Sequence, residues 1–204
     1  MILAKKVCLV HGILFLLAWP FHASAVVFVS NEINTTPSPD NFSICFDNSC
    51  KTITQLSLKE GQWMKINELF HPEAKTPAEE RTKIGRAIAL LETYIGEMTG
   101  TDQDKGLNEP PDTPVGHRMD CIDESTNSTT YLYLLQEAGL LRWHRLRDPV
   151  TRGFFFFGWP HTTAVIAEIN EKIEWAIDSW FHDNGEVPEI IPLSLWKSGW
   201  HPEK

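Results

Sequence analysis

The feature that most constrains the fold is a pair of strand-like segments within WPHTTAVIAEINEKIEWAIDSWF, near the C-terminal end. Residues 161–169 and 172–180 are both rich in β-branched and aromatic side chains, which favour extended structure. The polar pair Asn170-Glu171 separates the two segments and can form the turn between them. The sequence therefore predicts two neighbouring antiparallel strands.

The predicted hairpin also fixes which side chains lie together. If Ile169 faces Lys172, then Thr163 lies opposite Asp178. His161 and Asp178 become diagonal neighbours on one face of the sheet, within hydrogen-bond reach of each other. A register shift of one residue would place them on opposite faces, so the pairing is a specific prediction.

A cysteine stands at the predicted start of a helix in GHRMDCIDESTNSTTYLYLLQEAGLL, residues 116–141. Asp120 can cap this helix, and Gly139 can end it. Steps of three and four residues place five side chains on one helix face: Cys121, Ser125, Ser128, Leu132 and Leu135. Because the apolar end of that face should enter the core, Cys121 is expected at the mouth of the buried side.

The charges around this cysteine act in opposite directions. A helix N-terminus stabilises a thiolate through its free N–H groups and its dipole. Asp120, Asp123 and Glu124 crowd the same end and would raise the pKa of the Cys121 thiol. The thiol therefore needs a basic neighbour to be reactive, and His161 is the candidate.

The first 25 residues have the pattern of a secretory signal peptide. A basic start with Lys5 and Lys6 precedes an apolar run, and Ala23-Ser24-Ala25 forms a small-residue cleavage site. The apolar run is shorter than the roughly 20 residues that span a bilayer. We therefore expect an exported protein, periplasmic or secreted, without membrane insertion after cleavage; an uncleaved membrane anchor is the alternative.

Export favours disulfide formation between the cysteines, because disulfides persist in oxidising compartments. Three cysteines follow the predicted signal peptide, and CFDNSC places turn-forming residues between Cys45 and Cys50. The prediction is a Cys45–Cys50 disulfide across a small hairpin. Cys121 is then unpaired, and a lone thiol in an exported protein indicates either a covalent partner or reactivity.

The rest of the chain divides without an internal repeat or a linker between domains. Residues 26–41 are expected to form a flexible N-terminal arm, and residues 42–204 a single domain. Thr76-Pro77 begins a predicted helix that ends before Gly100. Its apolar stripe comprises Ile84, Ile88, Leu91, Ile95 and Met98. Glycines and prolines make residues 101–119 a loop that leads into Cys121.

Composition excludes some classes of partner. Without the signal peptide the chain has 16 basic and 27 acidic residues, a formal charge of −11. This balance argues against binding nucleic acid or an anionic membrane surface through bulk charge. Cys121, His161, His182 and Asp183 could in principle gather a metal, but no two of them stand at an established ligand spacing. No metal and no cofactor is therefore predicted.

Taken together, these residues resemble the transglutaminase-like cysteine enzyme superfamily, whose core shares its layout with papain-like enzymes. The resemblance covers roughly residues 119–180 and consists of Cys121 opening a helix, LLQEAGLL closing it, HTTAVIAEI beginning at the histidine and WAIDSW holding the aspartate. The longer stretch from MDCIDESTNSTTYL to IDSWF is also similar to a family of exported bacterial proteins without an assigned function.

The resemblance implies an α+β fold, with helices packed on an antiparallel β-sheet in a transglutaminase-like, papain-like core. It also implies that Cys121 is an acyl-accepting nucleophile, His161 its base and Asp178 the partner of the histidine. The backbone N–H of Cys121 should contribute to an oxyanion hole, with His117 as a candidate second donor. The expected substrate is an amide of a protein or cell-wall peptide, attacked by water in a protease or amidase and by an amine in a transamidase.

Simpler interpretations stay open beside this one. Cys121 could be an inert core thiol, and His161 could satisfy a backbone carbonyl. The chain would then be a non-catalytic exported module that keeps the fold for binding or assembly. The four phenylalanines Phe154–Phe157 predict a strand buried on both faces, or alternatively a hydrophobic substrate wall beside His161.

Overall fold

A computed structural model describes residues 33–107, 118–153 and 160–203 of the 204-residue chain. The elements follow the order β1 (Phe42–Phe46), β2 (Thr52–Leu56), α1 (Glu60–Glu68), α2 (Pro77–Thr99), a 3-10 turn (Thr101–Gln103), α3 (Cys121–Glu137), β3 (His144–Arg152), β4 (His161–Glu168), β5 (Glu174–Asp178), β6 (Glu189–Pro192) and α4 (Leu193–Lys197). The predicted α+β class with antiparallel sheets is confirmed. None of the helices described is long and apolar enough to cross a membrane. The predicted signal peptide, residues 1–25, and Phe154–Phe157 lie outside the described residues.

Four strands form the main sheet in the order β3-β4-β5-β6, with every neighbouring pair antiparallel. Ala164 pairs with Ile177, and Ala167 pairs with Glu174, which is the predicted register. The pairing of β4 with β5 ends at Ala164 and Ile177. Beyond this pair, the Thr163 hydroxyl donates to the Ile177 carbonyl oxygen at 2.7 Å. The hairpin prediction is therefore confirmed, with the register that brings residues 161 and 178 together.

Helix α2 begins and ends where the sequence predicts. The Thr76 hydroxyl accepts the Glu79 backbone N–H at 3.2 Å, and Pro77 occupies the first turn, where its missing N–H costs nothing. At the other end Gly100 has a φ of +79°, a left-handed conformation that glycine adopts readily. The predicted helix from Thr76 to Gly100 is confirmed.

Helix α3 is capped at both ends in the predicted way. The Asp120 carboxylate accepts the backbone N–H groups of Ile122 and Asp123, at 2.9 and 3.0 Å. The Asp123 carboxylate in turn accepts the N–H of Asp120, which completes a capping box. Gly139 follows the helix with a φ of +69°. Cys121 is the first residue of the helix, as predicted.

The core lies between helices α2 and α3, the main sheet and the β1–β2 hairpin. It includes fully buried residues of each element: Ile84, Ile88, Leu91, Leu132, Leu135, Ala164, Ile166, Phe42 and Ile44. Burying one such Leu, Ile or Phe side chain stabilises the fold by about 1.5–3 kcal/mol. The predicted stripe on α2 is confirmed as far as Ile95, but Met98 is 41% exposed. Met98 lies in the last turn of α2, where the neighbouring Glu97 is exposed as well.

A buried carboxylate joins helix α2 to the edge of the main sheet. Glu80 is 1% exposed, and its oxygens accept the backbone N–H groups of Arg142, Trp143 and His144 at 2.7–3.1 Å. The His144 ring nitrogen Nδ1 lies 2.8 Å from the same carboxylate. Glu80 therefore supplies the acceptors that the first residues of β3 and the preceding turn would otherwise lack inside the protein.

Candidate active site

The Cys121 thiol lies against the backbone on both sides of His161. Its Sγ is 4.0 Å from the carbonyl oxygen of Pro160, and it also interacts with the backbone N–H of Thr162. The residue is only partly buried. The start of α3 and the start of β4 thus meet at one point, which places the thiol against the backbone that flanks His161.

His161 and Asp178 form the predicted pair. The ring nitrogen Nε2 of His161 lies 2.7 Å from Asp178 Oδ2, and both residues are buried. In the part of the chain described, no hydrogen bond to the other ring nitrogen, Nδ1, is found. The rings of Trp180 and Phe181 pack against the imidazole, with centroids 4.8 and 5.5 Å away. The imidazole is therefore held in an apolar surrounding, with one nitrogen bound to a carboxylate.

A tryptophan outside the predicted triad completes this arrangement. The Trp196 indole N–H donates to Asp178 Oδ2 at 2.6 Å, and Trp196 is fully buried in helix α4. One signal in the sequence pointed to such a donor. Asp178 stands in the apolar segment WAIDSW, where a carboxylate is costly without several hydrogen bonds.

The electrostatic surroundings oppose a free thiolate. Burial raises the pKa of Cys121 to about 12, and the negative charges of Asp120, Asp178 and Asp123 add to this effect. The Thr162 N–H acts in the opposite direction. A proton passed to His161 would leave an imidazolium that offsets these negative charges. The expectation that the acidic first turn raises the pKa of the thiol is confirmed for Asp120 and Asp123.

The turn between β1 and β2 is bound to the first turn of α3. Residues Asp47–Cys50 all have positive φ, from +54° to +69°, so successive backbone N–H groups converge on one side. The N–H groups of Asn48 and Cys50 donate to the Asp123 carboxylate, at 2.8 and 2.6 Å. The Ser49 N–H donates to Asp120 at 2.9 Å. These contacts fix the helix end that carries Cys121.

The Cys45–Cys50 disulfide, as predicted, closes this hairpin. Asn127, two turns into α3, accepts the backbone N–H of Cys45 and donates to its carbonyl oxygen, both at 2.8 Å. The two sulfurs and one Asp123 oxygen lie within 4.8 Å of one another, but both sulfurs are already bonded to each other. This cluster therefore offers no thiolate to a metal.

The other metal candidates from the sequence have partners of their own. His182 Nε2 lies 3.0 Å from Glu189, and Asp183 pairs with Lys105 at 2.6 Å. Among the described residues, neither His182 nor Asp183 forms a potential metal-ligand group with Cys121.

A group of buried carboxyl groups lies where helix α2 meets the first turn of α3. Glu92 is 3% exposed, and burial raises its pKa to about 7. Burial also raises the pKa of Glu124 well above its ordinary value, with the charges of Glu92 and Asp104 adding to the effect. Among the described residues no partner is found for Glu92 Oε1, whereas Oε2 accepts the Gly185 N–H at 3.2 Å. These groups favour their neutral forms at acidic pH.

One predicted part of the site falls outside the described residues, namely His117, the oxyanion-hole candidate. The backbone N–H of Cys121 belongs to the first turn of α3, where N–H groups have no acceptor within the helix. Comparison of the chain with protein-family models, curated proteins and solved structures finds no match.

Proposed function

We propose that this protein is an exported thiol-dependent acyl-transfer enzyme, with a transglutaminase-like, papain-like core, that acts on an amide of a protein or peptide. Cys121 is the nucleophile, His161 the base and Asp178 the partner of the histidine. One observation supports the proposal most: the 2.7 Å contact between His161 Nε2 and Asp178 lies where the Cys121 thiol meets the backbone of the two residues that flank this histidine.

The chemistry follows from the two ring nitrogens. With Nε2–H donating to Asp178, Nδ1 carries the lone pair and can accept the proton of Cys121. The sulfur then attacks the carbonyl carbon, and the electron pair of the carbonyl moves to oxygen, near the Cys121 backbone N–H. The leaving amine takes the proton from His161, which gives a thioester. Water releases an acid from the thioester, and an amine releases a new amide.

A second candidate function is a non-catalytic exported module that keeps this fold for binding or assembly. The raised pKa of Cys121, about 12, favours this candidate, because a thiol with that pKa stays protonated at neutral pH. The two candidates differ in one measurable property, the pH at which Cys121 becomes a nucleophile.

The test is alkylation of the protein by iodoacetamide, with mass spectrometry of the peptide that contains Cys121. If the protein is an enzyme, Cys121 should be alkylated between about pH 5 and 8, because proton transfer to His161 supplies the thiolate. His161→Ala should label only at much higher pH, toward the pKa set by burial. His182→Ala is the matched control, since His182 Nε2 also lies against a carboxylate, Glu189, at 3.0 Å. A labelling profile unchanged by His161→Ala would exclude the catalytic function.

An assay with casein and a fluorescent primary amine then distinguishes water from an amine as the acceptor of the acyl group. Fluorescence incorporated into casein indicates transamidation, and release of casein peptides indicates hydrolysis. Cys121→Ser, which removes the sulfur nucleophile, should abolish either product.

A further inference from the structure

We infer that Trp196, held by Arg152, is a positioning residue for the His161–Asp178 pair, an inference that rests on the proposed function. Asp178 Oδ2 accepts two hydrogen bonds, from His161 Nε2 at 2.7 Å and from Trp196 Nε1 at 2.6 Å. Two donors in different directions fix one carboxylate oxygen, which fixes the ring that it holds. Asp178 is 2% exposed, so water does not replace either donor freely.

The indole also contacts the histidine directly. The rings of Trp196 and His161 have centroids 5.5 Å apart and are inclined at 36°. Trp196 therefore touches both members of the pair, one through its N–H and the other through its face. Because one side chain of helix α4 makes both contacts, it limits rotation of the imidazole relative to the carboxylate.

Arg152 fixes Trp196 in turn. Its guanidinium lies 4.4 Å from the centre of the Trp196 ring and donates to the Trp196 carbonyl oxygen. Arg152 is also paired with His161 across strands β3 and β4, so its side chain emerges on the same face of the sheet. Its guanidinium also interacts electrostatically with Asp178. These contacts thus form one network that runs from the Arg152 guanidinium through Trp196 and Asp178 to the His161 ring.

The same chain contains a second arrangement of this kind, away from Cys121. The Arg81 guanidinium lies 3.6 Å from the centre of the Trp175 ring, and the Trp175 N–H donates to Glu168 at 3.0 Å. Arg81 also contacts the ring of His144, at 3.3 Å. This arrangement joins α2 to the sheet and carries no thiol. It is therefore a matched control for the loss of an indole donor or of a stacked arginine.

The experiment compares Trp196→Phe with Trp175→Phe in the full chain, by the rate of Cys121 alkylation by iodoacetamide across pH. Phenylalanine keeps a ring at each position and removes the N–H. Loss of a hydrogen bond to a charged group should lower the labelling rate of Trp196→Phe by about tenfold. Labelling between about pH 5 and 8 should also fall relative to labelling at high pH, because only labelling in the lower range needs a fixed imidazole to take the thiol proton. Trp175→Phe should change neither property. Thermal unfolding of each variant confirms that folded protein is compared.

A second pair of variants keeps the test decisive if Trp196→Phe does not fold. Arg152→Met should lower the labelling rate in the same direction but less, whereas Arg81→Met should leave it unchanged. Equal profiles for both tryptophan variants, or for both arginine variants, would overturn the inference. His161→Ala is measured beside them. If His161→Ala labels like the wild type, the proposed function fails; if only the Trp196 and Arg152 effects are absent, the positioning inference alone fails.

Discussion

Replacing Glu92 by glutamine should stabilise the protein at alkaline pH and leave it nearly unchanged at acidic pH. Glu92 is buried, its Oε1 has no partner among the described residues, and the nearby charge of Asp104 disfavours its ionised form further. Its pKa is raised to about 7 from an ordinary value of 4.5. Glutamine has nearly the same shape, can still accept the Gly185 N–H with its oxygen, and carries no charge.

The sign and the size follow from proton linkage. The folded state binds the Glu92 proton more tightly than the unfolded state does, so this stabilisation is full below about pH 4.5 and is lost as pH rises through about 7. At about 1.4 kcal/mol for each tenfold change in proton affinity, the loss is about 3 kcal/mol. Wild-type stability should therefore fall between pH 5 and pH 8.5 by up to this amount more than that of Glu92→Gln.

Urea unfolding at pH 5 and pH 8.5, followed by tryptophan fluorescence, measures the effect. Glu97→Gln is the matched control, because Glu97 lies on the same helix with its side chain exposed. Glu97→Gln should change the free energy of unfolding little, and by the same amount at both pH values. If the difference in free energy of unfolding between Glu92→Gln and the wild type is the same at pH 5 and pH 8.5, burial does not hold Glu92 in its neutral form.

Two further predictions concern the helix end that carries the thiol. Asp120→Asn removes a negative charge that raises the pKa of Cys121, so alkylation at pH 7 should become about tenfold faster; a slower rate would contradict this reading of the charges. Replacing Cys45 and Cys50 together by alanine removes the disulfide and should lower the free energy of unfolding by about 2 kcal/mol, measured as a lower urea midpoint. An unchanged midpoint would show that the hairpin contacts with α3 suffice alone.

Local features of the sequence predicted the elements that hold the candidate site. The caps Thr76 and Asp120 act within one turn of the chain, and their effect depends little on the rest of the fold. The hairpin register depends on the few residues between two strands, so the placement of His161 beside Asp178 could be worked out from numbering alone.

Features that depend on distant contacts were not accessible in the same way. Trp196 reaches Asp178 only because β6 pairs with β5 and turns the chain back, and nothing in the local pattern of residues 189–197 indicates that path. Glu92 looks like a solvated helix residue by its charge. Its position four residues after Ile88 and three before Ile95 puts it beside the apolar stripe, which is the one signal that could have shown its burial.

The carboxylate of Glu80 has a consequence for how the molecule opens. Because one side chain of α2 accepts the amides of residues 142–144, withdrawing the helix would expose three backbone donors at the sheet edge simultaneously. Helix and sheet should therefore unfold as one cooperative unit. The amide protons of Arg142, Trp143 and His144 should exchange with solvent at a common rate, set by the global unfolding of the domain.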